Sequence, residues 1–274
     1  MNWLNFEYVQ LAISCLLGVN LRVITNYLFE KFDIAVVDIN FLSNVVGCIT
    51  IATMYNLTRF GATEQWVKSL KTGLSGSYTT FSGFAFALGT SHKNDLGDSI
   101  VVGTLQVSFF VVLVRFFNSL HERQISDIEE PQTSAKTENT SNINASPFYL
   151  LLFTLLIVLN VFGFFIVSEK FYFIIFLILA IFGCFLRKVM GKLNQKNWKY
   201  GTFAANILGS IIYACVVKYI DSKTWITIWT GAFCGCLTTV SSFINEAVTI
   251  PQWYGVWYIT LTIVIGSTVT VLLQ

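Results

Sequence analysis

The sequence is poor in charge, in proline and in histidine. Charged residues make up 12% of its 274 positions, against about 25% in soluble domains, and there are three prolines and two histidines. So little charge excludes a water-exposed surface over most of the chain, and so little proline excludes a proline-rich linker. The net charge of +2 also gives no reason to expect a polyanionic partner such as nucleic acid.

Metal and catalytic motifs are missing as well. Six cysteines are scattered through apolar segments, and Cys234 and Cys236 have no second cysteine cluster with which to build a zinc site. Gly73–Gly76 spells G-x-S-G, but both histidines lie in or beside loops, so the serine lacks a base. We therefore expect no enzyme.

Apolar residues dominate instead, at 54% with 25 phenylalanines and a mean hydropathy of +0.65. A helix needs about 20 residues to cross the hydrocarbon core. On that basis we predict an all-α polytopic membrane protein with nine spans: 7–29, 36–56, 67–89, 98–117, 147–167, 170–189, 201–219, 225–249 and 253–273. The third and eighth contain glycine and threonine clusters, which predict a break in each helix.

The charged residues that are present predict an orientation. Ten lysines and arginines fall on the side of the N-terminus against five on the other, leaving aside Arg22 and Arg187 within spans. Basic loops face the cytosol, so we expect a cytosolic N-terminus and an extracellular C-terminus. The polar segment 118–146 is then a flexible cytosolic loop.

The chain contains an internal repeat. Gly18-V-N-L-Arg22 matches Gly183-C-F-L-Arg187, and Asn44-V-V-Gly47 matches Asn206-I-L-Gly209. Residues 79–84, T-T-F-S-G-F, match 238–243, T-T-V-S-S-F, in the same order. A duplication predicts two four-span repeats, 1–117 and 168–274, and the extra span 147–167 inverts the second.

Several repeated side chains are candidates for ion contact. Asn44 and Asn206 lie in mid-span, either as pore amides or as interhelical contacts. Arg22 and Arg187 lie towards span ends, either as anion-attracting vestibule residues or reaching for the interface. The phenylalanines Phe81, Phe84 and Phe243 either pack or present positive ring edges to an anion. In span nine, Tyr258, Thr262 and Gly266 share one helical face, while span four is poor in hydroxyls.

These motifs together resemble the Fluc-type fluoride channels, in particular the fused two-repeat fluoride exporters of fungal type. The resemblance rests on 201–210, G-T-F-A-A-N-I-L-G-S, on 235–246, G-C-L-T-T-V-S-S-F-x-x-E, and on 73–84, and it extends over nearly the whole chain outside 118–146. It implies passive, selective export of fluoride across the plasma membrane by a single chain equivalent to a fused dimer.

The resemblance also implies roles for individual residues. The pore residues it implies are Asn44, Asn206, Phe81, Phe84, Phe243, Tyr258, Thr262, Thr80, Thr239, Ser82 and Ser241, with Arg22 and Arg187 in the vestibules. A central sodium ion would be held by the backbone carbonyls of Gly76, Thr79, Gly235 and Thr238.

The second repeat departs from the first. Val240 stands opposite Phe81, and Glu246 opposite Ala87. We therefore expect one working pore and one degenerate pore, and unequal effects of replacing Phe81 and Phe243. Two alternatives stay open, a small proton-coupled secondary transporter, for which Glu246 is the candidate carboxylate, and a membrane scaffold that transports nothing.

Overall fold

The computed structural model describes residues 3–32, 39–60, 62–91, 96–129, 154–160 and 170–273. Within these ranges every regular element is a helix, because an apolar chain in lipid must satisfy its backbone groups within each segment. Among the described residues, six helices are long and apolar enough to cross a membrane: Glu7–Lys31, Ile100–Leu120, Lys170–Gly191, Tyr200–Tyr219, Lys223–Thr249 and Gln252–Leu273.

The first part of the chain forms five helices. They are α1 (Trp3–Lys31), α2 (Phe41–Thr53, followed by a 3₁₀ segment Met54–Phe60), α3 (Glu64–Leu70, a π-helical turn Lys71–Ser75 and a last turn Gly76–Tyr78), α4 (Phe81–Ser91) and α5 (Leu96–Glu129). Residues 154–160 form α6. The predicted linking span 147–167 lies outside the described residues except for these.

The second part repeats the same order of elements. It comprises α7 (Lys170–Gly191), α8 (Tyr200–Tyr219), α9 (Lys223–Thr227, a π-helical turn Ile228–Cys234 and a last turn Gly235–Leu237), α10 (Ser241–Thr249) and α11 (Gln252–Leu273). α7 to α11 therefore correspond to α1 to α5, and both parts contain a π-helical turn just before the threonine pair.

The predicted breaks in the third and eighth spans are confirmed. Thr79 is extended, with φ −99° and ψ 154°, between α3 and α4. Thr238 is extended in the same way, with φ −94° and ψ 157°, between α9 and α10. Both threonines are fully buried, as expected where non-helical backbone is enclosed by protein rather than lipid.

One boundary differs from the prediction. α5 continues through residues 118–129, the first part of the segment predicted to be a flexible loop, while residues 130–146 lie outside the described residues. The extension N-S-L-H-E-R-Q-I-S-D-I-E contains no glycine or proline, and Leu, Glu, Arg and Gln favour helix. Polarity alone was therefore a poor guide to where the helix ends.

The two parts of the chain meet along α1 and α7, and the largest cluster of buried side chains lies where α4, α5, α10 and α11 come together. At one end of the contact between the parts, Lys188 pairs with Glu7 and lies over the Tyr8 ring. Farther along α1, the amide of Asn20 donates to Asn160 of α6 at 3.3 Å. This arrangement brings the two interrupted helices together at the centre.

Candidate functional site

Each interruption is capped by a threonine from the other half of the chain. Thr79 Oγ accepts the backbone N–H groups of Val240 and Ser241, each at 3.2 Å. Thr238 Oγ accepts those of Phe81 and Ser82, each at 3.1 Å. The first turn of a helix leaves N–H groups without intrahelical partners, so α4 and α10 each depend on the opposite half for a cap.

A buried hydroxyl network surrounds the two caps. Ser82 lies 3.1 Å and Thr80 3.3 Å from the Thr238 hydroxyl. Ser241 lies 3.1 Å and Thr239 3.2 Å from the Thr79 hydroxyl. The structure thus brings together Thr79, Thr80, Ser82, Thr238, Thr239 and Ser241, which the sequence had singled out, in one cluster between the halves.

The two asparagines each hold one interruption. Asn44 Oδ1 accepts the N–H of Thr80 at 3.0 Å, and its Nδ2 lies 3.5 Å from the Thr80 carbonyl. Asn206 does the same to Thr239, at 2.9 and 3.2 Å. These bonds use one of the two N–H groups of each amide. The asparagines therefore fix the break and retain one donor each.

The phenylalanines predicted to line a pore form a chain of ring contacts that ends on α11. The ring centroids of Phe81 and Phe243 are 5.8 Å apart, and those of Phe243 and Tyr258 are 5.0 Å apart, both edge to face. A side chain on Gly266 would meet the Phe81 ring at 2.7 Å. Phe81 and Phe243 therefore lie against the same helix, although they come from different halves.

Phe84 belongs to the opposite side. Its ring contacts that of Phe81 at 5.9 Å, but its far end approaches Gly103 of α5. The repeat pattern predicted that replacing Phe81 and replacing Phe243 would have different effects. The contacts instead group Phe81 with Phe243, on the side of α11, and set Phe84 apart from both.

α11 and α5 present different inward faces. On α11, Tyr258, Thr262 and Thr270 are fully buried, and Gly266 lies between the two threonines at the same spacing of four. Among the described side chains of α5 the fully buried ones are Val107, Phe110 and Val114, and the Oε1 atom of the partly buried Gln106 has no hydrogen-bond partner. A row of hydroxyls and a glycine faces one side of the centre, and a wholly apolar row faces the other.

Glu246 lies at the end of the α11 row, and two of its three partners, Thr202 and Asn194, were missed in the sequence. The carboxylate accepts from Tyr258 Oη at 3.1 Å, from Thr202 Oγ at 2.9 Å and from Asn194 Nδ2 at 3.0 Å. Thr202 could have been found, because it precedes Asn206 by one helical turn on the same face of α8. Asn194 lies in a loop and carried no such signal.

The two arginines predicted to line vestibules are deeply buried. Arg22 is 3% exposed and Arg187 5% exposed. Arg22 does border an open cavity of about 400 Å³, together with Asn26, Asn40 and Thr80. Their guanidinium groups, however, point to backbone carbonyls at the two interruptions.

Each arginine bridges both halves. Arg187 Nη1 donates to Gly76 O at 2.7 Å and to Thr238 O at 3.2 Å. Arg22 Nη1 donates to Gly235 O at 2.7 Å and to Thr79 O at 3.4 Å. These are the four carbonyls that the family resemblance assigns to a sodium ion.

The sodium ion stays a prediction of the resemblance, and the donor set tests its fit. All four oxygens accept hydrogen bonds from fixed cations, and two unit charges 4 Å apart repel by about 4 kcal/mol at an effective dielectric constant of 20. Within the part of the chain that the structure describes, neither arginine pairs with a carboxylate to offset this charge. The residues around these carbonyls therefore do not fit a third cation.

Taken together, the apolar helices and the buried polar centre define a polytopic α-helical membrane protein. The model of the family described as "CrcB-like protein, Camphor Resistance (CrcB)" matches the chain twice, over residues 9–117 and 174–273. The chain belongs to this family, and the two matches follow the repeat found in the sequence.

Curated relatives carry the name of a fluoride channel. The chain is 32% identical over 92 residues to the fluoride-specific ion channel FluC 1 of Carboxydothermus hydrogenoformans, which covers 32% of this chain and 74% of that protein. It is 40% identical over 76 residues to FluC of Bordetella pertussis, covering 25% of this chain and 59% of that protein. No solved structure matches.

Proposed function

We propose that the chain is a passive fluoride channel, a fused two-repeat protein of fungal type that exports fluoride from the cytosol across the plasma membrane. The family and the names of the relatives support the ion. The observation that carries the proposal is the row of hydroxyls on α11, which continues into the rings of Phe243 and Phe81.

We further propose the nine-span arrangement with a cytosolic N-terminus, in which the linking span 147–167 inverts the second half. The exchange of caps between the halves supports a two-fold relation between them, because Thr79 and Thr238 each make equivalent bonds to the other half. The excess of basic residues on the side of the N-terminus supports its cytosolic placement. One chain then supplies both halves of the centre, as a fused dimer would.

The proposed path runs along α11. A fluoride ion that loses water needs donors and positive partial charges. Thr262 and Tyr258 offer hydroxyl groups, and Asn206 offers its second amide N–H. Phe81 and Phe243 offer ring edges that carry positive partial charge. The buried guanidinium groups add positive potential without lying in the row itself.

The corresponding path along α5 is proposed to be closed to the ion. Its wall consists of Val107, Phe110 and Val114 in place of hydroxyls, and Val240 replaces a phenylalanine. Among its described residues the buried face of α5 has no hydroxyl equivalent to those of Tyr258 and Thr262, so the remaining amide N–H of Asn44 and the ring edge of Phe84 lack a continuous row of partners for a dehydrated anion.

A proton-coupled carrier is the second candidate, and one observation favours it. Glu246 is a carboxylate held among three donors at the end of the hydroxyl row, and carriers of this class use such groups for protons. In the channel, the same carboxylate fixes the Tyr258 hydroxyl and takes up no proton during transport.

Fluoride efflux from proteoliposomes distinguishes the two. Vesicles loaded with potassium fluoride are treated with valinomycin, which lets potassium leave and so prevents a membrane potential from opposing fluoride efflux. Release is followed with a fluoride electrode at equal internal and external pH, with and without an uncoupler. The channel releases fluoride under all these conditions, and Glu246→Gln leaves this independence intact. If release requires a proton gradient, or if it depends on a proton gradient in the unmodified protein but not in Glu246→Gln, the protein is a carrier instead.

A further inference from the structure

The interrupted helices expose carbonyl oxygens inside the protein, and these need cationic or hydrogen-bonding partners. The last turn of a helix leaves carbonyls without intrahelical donors and carries partial negative charge. Arg187 meets this need in the first half at Gly76 O (2.7 Å), and it also donates to Thr72 O (2.6 Å) in the preceding π-helical turn. Arg22 meets it in the second half at Gly235 O, and it also donates to Gly231 O in the preceding π-helical turn.

The arrangement is reciprocal. Arg22 belongs to α1 but serves mainly the end of α9, while Arg187 belongs to α7 but serves mainly the end of α3. Each guanidinium also reaches the extended threonine of its own half, Arg22 to Thr79 and Arg187 to Thr238. A planar guanidinium carries five donors in a fixed geometry and is always charged, which suits it to bridge several carbonyls at once.

The glycines beside these carbonyls are shaped for the arginines. A Cβ atom at Gly76 would lie 2.6 Å from Arg187 Nη2, and one at Gly235 would lie 2.4 Å from Arg22 Nη2. Each guanidinium therefore packs directly on a glycine backbone, and any side chain there would displace it. The glycine of each G-x-x-T-T motif is explained by an arginine from the other half.

We infer that Arg22 and Arg187 are the structural cations of this centre and that the protein keeps its two interrupted helices together without sodium. Both charges are covalently attached, both are buried, and together they donate to all four carbonyls that a sodium ion would use. This inference is independent of the transported ion, since it concerns what holds the centre together.

The test is the thermal unfolding of the full-length protein in detergent, with sodium chloride replaced by the chloride of N-methyl-D-glucamine at equal ionic strength. A ligand that binds the folded state raises the melting temperature as its concentration rises. We expect the same melting temperature in both salts. A saturable stabilisation by sodium in the unmodified protein would overturn the inference.

A variant provides the converse. Arg187→Gln removes one cation and frees Gly76 O and Thr238 O, so we expect a lower melting temperature that sodium now raises. Lys188→Gln, at the neighbouring partly buried position where the lysine pairs with Glu7 and not with the interrupted helices, should stay insensitive to sodium. An Arg187→Gln protein that folds and stays insensitive to sodium would contradict the inference, and if it does not fold, the unmodified protein decides alone. Fluoride efflux is measured separately, so loss of transport does not bear on this result.

Discussion

Two phenylalanines from opposite halves share one task at the residue scale. Phe81 and Phe243 contact each other and lie against α11, whereas Phe84 turns towards α5. Replacing Phe81 or Phe243 by isoleucine should lower fluoride efflux by about tenfold, which corresponds to roughly 1.4 kcal/mol, within the range of an aromatic contact. The measurement is the initial rate of release from proteoliposomes.

Phe84→Ile is the matched control for this comparison. Phe84 is as buried as Phe81, at 1% exposure, and lies one helical turn away, so the two changes perturb packing to a similar degree. We expect Phe84→Ile to keep most of the efflux. Equal losses at Phe81 and Phe84 would show that packing, and not the side facing α11, governs the rate.

The threonine caps give a second prediction at this scale, for stability rather than transport. Thr79→Val keeps the shape of the side chain but leaves the N–H groups of Val240 and Ser241 without their acceptor. We expect a loss of about 1 to 2 kcal/mol, seen as a lower melting temperature in detergent. Thr90→Val, where the exposed hydroxyl bonds only to its own helix, should change little, and similar shifts at both positions would argue against the cap.

At the scale of the elements, the sequence predicted the helices better than their contacts. The six membrane-crossing helices of the described residues and both breaks follow from apolar length and from the G-x-x-T-T clusters, because these are local properties, while the count of nine spans stays a prediction. The end of α5 was missed, since helix propensity outweighed polarity. Two features depend on how the halves contact each other: the packing of Phe81 against α11 and the direction in which Arg22 and Arg187 point. The spacing of residues within one segment does not predict contacts between the halves.

The contrast between α11 and α5 yields a prediction for a whole helix face. Thr262 faces the centre and is fully buried, while Thr260 on the same helix is exposed. Thr262→Val removes a hydroxyl that can turn from the Tyr258 carbonyl towards a passing ion, so efflux should fall by roughly tenfold. Thr260→Val should leave it unchanged. Equal rates in the two variants would exclude the α11 face as the path.

On the scale of the whole molecule, the halves depend on each other. The caps, the arginine bridges and the Lys188–Glu7 pair all cross from one half to the other. Each half alone would leave helix ends without donors in a medium that supplies none. The duplication therefore explains why the same motifs occur twice, and the interface explains why neither copy suffices.

The proposed inversion of the second half depends only on the parity of the linking spans. Deleting 147–167 should insert residues 168–274 in the opposite orientation, so that Thr79 and Thr238 no longer meet and efflux is lost. Replacing 147–167 by one unrelated apolar helix of the same length should restore efflux. The rate should fall short of that of the unmodified protein only by the effect of losing the Asn20–Asn160 hydrogen bond. Two such helices in series should abolish efflux again. Release from a chain with no linking span or with two would rule out the inverted arrangement, and accessibility of a cysteine placed at the C-terminus reports the orientation in each case.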